Sequence, residues 1–474
     1  MGARSGAEYL RALRDDREIW LDGTRVKDVT ADPRLGRAAR SIAALYDLQS
    51  RIDLKESMTF ESPSTGDGVG MAFLQPKSSQ DLVRRREAFK VWADSGCGML
   101  GRAPDFLSAI ITGFASAWEF FAQGGAGYGE NIVRYHADAR ENDWCLTHAL
   151  SKPVSDSAEP LRVVAENDRG IVVSGARTLA TLAPFSDEIV IFPGPTPGQL
   201  RKEDADRYAF AFCIPVATPG LKFLCRESLD DGRAVADHPL SSRFDEEDAV
   251  AVFDQVQVPY ERLFLKGDSE LGNGLWRGTK AYNHGVHQFT VKNLAKAEFV
   301  LGVTALVAES SGADRHPHVL GMLGEICDAV ETVRAFLRAA ETDTAPGPSG
   351  TVIPNPETIE TARNYFPAVY PRLIEILQLI GASGHVMHVG DAMATSEVAE
   401  AVDKYYGAGE LNGRERNKLL KLAWDTACSG FAGRQVLYER YFDGDPFRRR
   451  GVRYAGYTRK AEICERVQAF LKKD

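Results

Sequence analysis

The chain has 474 residues, 44% hydrophobic and 26% charged, with 57 Lys and Arg against 66 Asp and Glu and a formal charge of −9. This length exceeds one hydrophobic core and predicts two or three packed domains, while the acidic balance argues against a nucleic-acid binder, which displays a basic face. No run of 18 or more apolar residues occurs and the amino terminus lacks a basic, hydrophobic signal segment, so we expect no membrane span and a cytoplasmic protein. Seven Cys, at 97, 145, 213, 225, 327, 428 and 464, include no C-x-x-C and predict reduced thiols rather than a disulfide framework or zinc ribbon.

In chain order, residues 1–145 read as mainly helical, with apolar positions at helical spacing in 38–48, 82–93 and 106–121. From Gly170 the pattern turns to short β-type runs at 171–173, 188–192, 208–216, 221–225 and 249–253, separated by turn residues, which predicts a compact β-barrel or sandwich over 146–270. Residues 271–474 return to helical periodicity, at 279–311, 318–342, 357–381, 414–442 and 460–472, and predict a helical bundle. The stretch 344–356, with four Pro and two Gly, reads as a surface connection inside that bundle.

Two polar clusters about forty residues apart stand out: Gly101-Arg102-Ala103-Pro104-Asp105-Phe106 and Thr147-His148-Ala149-Leu150. A fixed guanidinium charge and an imidazole that titrates near neutrality suit an anionic or phenolic ligand, one as counter-charge and the other as base. The plain alternatives are a helix start at Pro104 and Asp105 and a hydrogen-bonded structural imidazole at His148. The glycines of Gly124-Gly125-Ala126-Gly127-Tyr128-Gly129 do not fall as G-x-G-x-x-G, and no P-loop or nucleophile elbow is present. His284 with His287 and His385 with His388 have i,i+3 spacing, but no third ligand sits beside either pair, so we predict no metal. Arg448-Arg449-Arg450 is a dense basic run, a solvated loop or a phosphate contact.

The order of helices, β-barrel and helices, with Phe253-Asp254-Gln255-Val256-Gln257-Val258-Pro259 closing the barrel, resembles the acyl-CoA dehydrogenase architecture, an α+β fold. Within it the chain is similar to the oxygenase component of the 4-hydroxyphenylacetate 3-monooxygenase family. The similarity runs from Ser5-Gly6-Ala7-Glu8-Tyr9-Leu10 through Ala43-Ala44-Leu45-Tyr46-Asp47-Leu48-Gln49, the two polar clusters, Asp237-His238-Pro239-Leu240-Ser241-Ser242-Arg243 and Ile380-Gly381-Ala382-Ser383-Gly384 to Leu437-Tyr438-Glu439-Arg440. The resemblance implies a homotetramer that takes reduced FAD from a separate NAD(P)H:flavin reductase, reacts it with O2, and hydroxylates a phenol next to its hydroxyl through a flavin C4a-hydroperoxide. The cofactor then carries the hard chemistry.

By the same resemblance Arg102 and His148 are the catalytic, substrate-contacting pair, with His287 (or His284) as a second base. His148, Ala149, Leu150, Val154, Ser155, Asp156, Ser157, Thr181, Gln378, Asp445, Pro446, Phe447 and Arg448 fall at flavin-contacting segments. The segment 380–384 falls where this architecture reaches a neighbouring subunit's flavin. Two departures stand in the substrate wall. Phe106 replaces a Tyr, and Gly194-Pro195 replaces a hydroxyl pair that binds the substrate's distal group. Both predict an acceptor other than 4-hydroxyphenylacetate, with a heteroaromatic ring or amine nitrogen, or a flavin-binding homologue without turnover, as alternatives. A related iron-sulfur dehydratase is excluded by its ligand set: Gly101 follows Cys97 at four residues, and Val291 and Leu294 follow His284 and His287 at seven.

Overall fold

A computed structural model of the chain describes residues 2–125, 127–155, 157–194 and 198–473. Asp156, Pro195 and Ala126, all named above, lie outside these described residues. The expected order of helices, β-structure and helices is present, and two helical groups enclose the β-structure.

Of the expected β-barrel or sandwich, no closed barrel forms among the described residues: the β-structure lies mainly in two open sheets, beside two short two-stranded ribbons. A six-stranded sheet runs in the order Thr24–Val26, Glu18–Leu21, Leu221–Cys225, Asp248–Pro259, Gly170–Thr181, Arg162–Asn167, and a four-stranded sheet in the order Leu263–Lys266, Phe210–Pro215, Glu188–Ile191, Leu146–His148. The first two strands come from the stretch read as helical. They form a hairpin around Asp22 and Gly23, whose φ of 50° and 72° are those of a type I′ turn. The hairpin adds Glu18–Leu21 in parallel to Leu221–Cys225. Ile19, Leu21, Phe185, Phe223 and Phe253 share one buried core there, which ties the amino-terminal segment to the sheet.

The helices start where the caps dictate. Ser78 and Asp81 form a reciprocal capping box at the head of Ser79–Ser95, and Pro104 occupies the first turn of Pro104–Ser116. Helix Tyr282–Ser311 runs through the centre of the bundle, packed on Pro317–Thr342 and Pro356–Gly381 around Val300, Val303, Ile326, Val330, Leu373 and Leu377. The single helix expected over 414–442 is two, Gly413–Ala427 and Gly430–Tyr441. Ser429 causes the break, because its side chain accepts from Ala432 N and so starts a new helix. The second piece is thereby redirected toward the sheets, where it forms one wall of a large cavity.

Candidate active site

That cavity has a volume of about 960 Å³, within the range of small-molecule sites. Its walls come from Arg102, the end of strand Leu146–His148, Thr178 to Thr181, the strand edges at Leu224–Arg226 and Asp248–Val250, and helix Gly430–Tyr441 with the turn after it. Leu150, Leu179, Leu224 and Leu437 give an apolar lining, Lys152 and Arg448 add cationic groups, and Arg226 and Arg434 line it already paired with carboxylates that include Asp248. This mixture fits a flavin nucleotide, with a flat apolar ring system and an anionic diphosphate.

Arg102 sits just before helix Pro104–Ser116 and is 7% exposed. Its backbone N–H donates to Glu246 Oε1 at 2.5 Å, and that carboxylate also accepts from Arg434 Nη1 at 2.9 Å, so the position is anchored to helix Gly430–Tyr441. The guanidinium lies 4.2 Å above the Phe106 ring and 5.0 Å from Phe442, and its Nη2 donates to the Phe442 carbonyl at 3.3 Å. Nη1 is buried and has no partner among the described residues. A buried charged donor without an acceptor costs free energy, and Arg102 keeps this one just beneath the cavity wall. Gly101 lets this happen: a Cβ there would fall 2.3 Å from the Tyr438 hydroxyl oxygen, inside the aromatic wall.

His148 ends its strand, in parallel register opposite Val190, and its ring stands 6.1 Å from that of Phe106. Nδ1 is buried without a partner among the described residues. Burial, with the Arg102 charge as a second cause, holds the imidazole well below its ordinary range. The ring is therefore held in its neutral form. Behind the pair, Asp105 accepts from Gln288 Nε2 at 2.9 Å, and burial pushes its carboxyl up to about 7.

Of the residues expected from the sequence, Arg102, His148, Leu150, Thr181, Gly194 and Arg448 line this one cavity. Phe106 lies beneath Arg102 and shapes it without lining it. Ala149 is fully buried beside its strand, while Val154 is exposed and Ser155 and Ser157 hydrogen-bond each other at the surface. Gln378 donates to the Ala427 carbonyl at 2.7 Å, a link between helices. Asp445 accepts from Phe447 N at 2.9 Å and caps helix Pro446–Ala455, with Pro446 in the first turn and Phe447 pointing outward.

His287 does not join the site. Its Nε2 pairs with Glu341 Oε1 at 2.8 Å inside the helical core, and His284 Nδ1 lies 3.1 Å from Arg85 Nη1. Both rings are buried between helices, His287 with its Nδ1 left without a partner among the described residues, and spacing along one helix could not reveal that direction. His385 is held by the Leu377 carbonyl, and His388 packs on Trp424. Among the described residues, no helix is long and apolar enough to cross a membrane.

The sequence reading missed Arg226, Asp248, Arg434, Tyr441, Phe442 and Asp443 as wall residues. A signal existed for part of this set: Arg434, Leu437, Tyr438 and Tyr441 recur at i, i+3, i+4 and i+7, one face of a helix.

Residues 5–265 match the family described as 4-hydroxyphenylacetate 3-hydroxylase N terminal, and residues 273–472 match its C-terminal counterpart. The chain belongs to the 4-hydroxyphenylacetate 3-hydroxylase family. It is 40% identical to the 4-hydroxyphenylacetate 3-monooxygenase oxygenase component of Thermus thermophilus over 99% of this chain and 98% of that protein. The oxygenase component of the same name from Geobacillus is also 40% identical, over 100% of this chain and 97% of that protein. The solved structure of such an oxygenase component, complexed with FAD and 4-hydroxyphenylacetate, superposes with a TM-score of 0.94 at 40% identity and covers 99% of each chain. This family's members are flavin-dependent aromatic monooxygenase components, and the chain is one of them.

Proposed function

We propose that this chain hydroxylates a phenol at the carbon next to its hydroxyl, using FAD delivered in reduced form by a separate reductase, and that it works as a homotetramer. The observation that carries the reading is that Arg102 and His148 line one cavity and each keeps, just beneath its wall, a buried nitrogen without a partner among the described residues. Reduced FAD supplies the electrons that activate dioxygen, so that phenol, O2 and reduced FAD give catechol, water and oxidised FAD. Arg226, Arg434, Arg448 and Thr181 would hold the cofactor against the sheet edge, with Leu150 and Leu179 keeping the ring environment dry.

The protein's own contribution is the ionisation of the acceptor. A free phenol ionises near pH ~10 and its neutral form is the poorer nucleophile. His148 Nδ1 takes the phenolic proton, which a neutral ring can do and an imidazolium cannot. Arg102 Nη1 then faces the phenolate oxygen, and its charge is undiminished by any salt bridge of its own among the described residues. Phe106 and Phe442 keep water from the guanidinium faces.

We further propose an acceptor other than 4-hydroxyphenylacetate, since Phe106 offers no hydroxyl and Gly194 no side chain toward the cavity. The test is turnover of the purified protein with enzymatically reduced FAD, O2 and a panel of phenols, heteroaromatics and amines, with products read by mass spectrometry. A product one oxygen heavier from a phenol supports the reading. Hydrogen peroxide alone from every phenol, with oxygenated product only from an amine or heteroaromatic, refutes it.

A further inference from the structure

Asp443 follows Phe442 directly, at the turn after helix Gly430–Tyr441, and its side chain is 4% exposed. Its carboxylate is the meeting point of three elements. Tyr282, at the head of the central helix, donates its hydroxyl to Oδ1. Arg363, on Pro356–Gly381, donates Nη2 to Oδ1 at 2.9 Å and Nε to Oδ2. Arg449, on Pro446–Ala455, donates Nη1 to Oδ2 at 2.6 Å. Burial, and then the carboxylate itself, push the Tyr282 hydroxyl above its ordinary range, so it stays a donor.

Two guanidinium groups and a phenol converging on one buried carboxylate fix a chain segment far more tightly than a solvated turn needs. The segment they fix includes the carbonyl that Arg102 uses. Among the described residues, the hydrogen bond from Nη2 to the Phe442 oxygen is the only one the Arg102 guanidinium makes. The Phe442 ring is held as well, stacked on Tyr438 at 4.7 Å and edge-on to Phe289 at 5.0 Å. Gly444 then turns the chain away at φ 91°, a conformation that favours glycine.

We propose that Asp443 is a positioning residue for phenol binding: it sets the Phe442 carbonyl and through it holds the Arg102 guanidinium in the cavity wall. This rests on the role given to Arg102 above. The residue touches neither the phenol nor the reacting atoms in this account, so its effect must pass through Arg102.

The test is a double-mutant cycle read by binding rather than turnover. The full-length protein, saturated with oxidised FAD, is titrated with 4-nitrophenol, whose ionised form absorbs visible light. Wild type, Tyr282→Phe, Asp443→Asn and Arg102→Met are compared with the two double variants that carry Arg102→Met. We expect Tyr282→Phe to weaken phenolate binding by about 5-fold and Asp443→Asn by about 10-fold or more, with both effects shrinking below about 2-fold in the Arg102→Met background. Effects that persist undiminished in that background overturn the proposal, as does wild-type affinity in both single variants. Tyr282→Phe removes one hydroxyl and carries the test if Asp443→Asn does not fold. If Arg102→Met alone leaves 4-nitrophenol binding unchanged, the reading of the site fails, and the proposal with it.

Discussion

Replacing Arg102 by Met removes the charge while keeping an unbranched side chain over Phe106, and its consequence can be worked from the geometry. An ion pair at ~4 Å is worth about 4 kcal/mol at an effective dielectric constant of ~20. Net of the water both ions give up, a hydrogen bond to a charged group contributes about 1.5 to 3 kcal/mol. The guanidinium is 7% exposed and its Nη1 has no competing acceptor, which places the loss toward the upper end, about 2 to 3 kcal/mol. Phenolate binding should then weaken by about 30- to 150-fold. The un-ionised phenol, which needs no counter-charge, should lose less than about 5-fold. The Arg102 charge is also the second cause of the low proton affinity of His148, so the imidazole should titrate at higher pH in the variant, though still below the ordinary value because burial persists. Titrating 4-nitrophenol across pH gives both affinities, and histidine NMR gives the imidazole. Equal losses for phenol and phenolate, or an unmoved imidazole, would refute the electrostatic argument.

Three further outcomes follow from the same site. His148→Ala should cut hydroxylation by about 10²-fold, as expected for loss of a general base, while binding of reduced FAD, measured by equilibrium titration, stays within a factor of about two; unchanged product formation removes His148 from the chemistry. Phe106→Tyr should raise turnover of simple 4-substituted phenols by restoring a hydroxyl beside Arg102, and steady-state kinetics showing no gain on any such phenol would mean that the wall has diverged at more than this position. Asp105→Asn should alter the pH dependence of stability. The wild-type carboxyl rises from the ordinary ~3.9 to about 7 on folding, so its contribution is fully present below ~3.9 and is lost as pH rises through about 7, at most about 4 kcal/mol. Denaturant unfolding at pH 4 and 8 should show the Asn variant losing less stability across that interval than wild type, and parallel losses would contradict the assignment.

The sequence carries the helices of the bundle nearly to the residue, because their apolar positions repeat at 3.6 and their caps are explicit. Tyr282–Ser311 and Pro356–Gly381 lie within a few residues of the expected segments. It also carries a hairpin signal: Asp22-Gly23 between Ile19-Trp20-Leu21 and Thr24-Arg25-Val26 has the two-residue turn chemistry of a β-hairpin. The break at Ser429 was masked because apolar spacing continues across it, and only the side-chain cap reveals the new start.

In the site, Arg102 and His148 were legible because their residue types and the collinear resemblance pointed the same way. The partner that orients Arg102 was not, because it is a backbone carbonyl, and any residue at 442 would supply one. Nor was the fate of His287, whose i,i+3 relation to His284 fixes a helix face without saying what that face meets; the answer, Glu341, comes from a helix more than fifty residues away.

Single-turnover reaction with isotopically labelled dioxygen tests the central claim most directly. The purified protein is loaded with reduced FAD and a 4-substituted phenol chosen from the panel, and the product is mapped by mass spectrometry and NMR. The account predicts one labelled oxygen on the ring carbon next to the original hydroxyl, with the yield collapsing in His148→Ala. Label at another position, an unlabelled product, or an equal yield from the variant would contradict it.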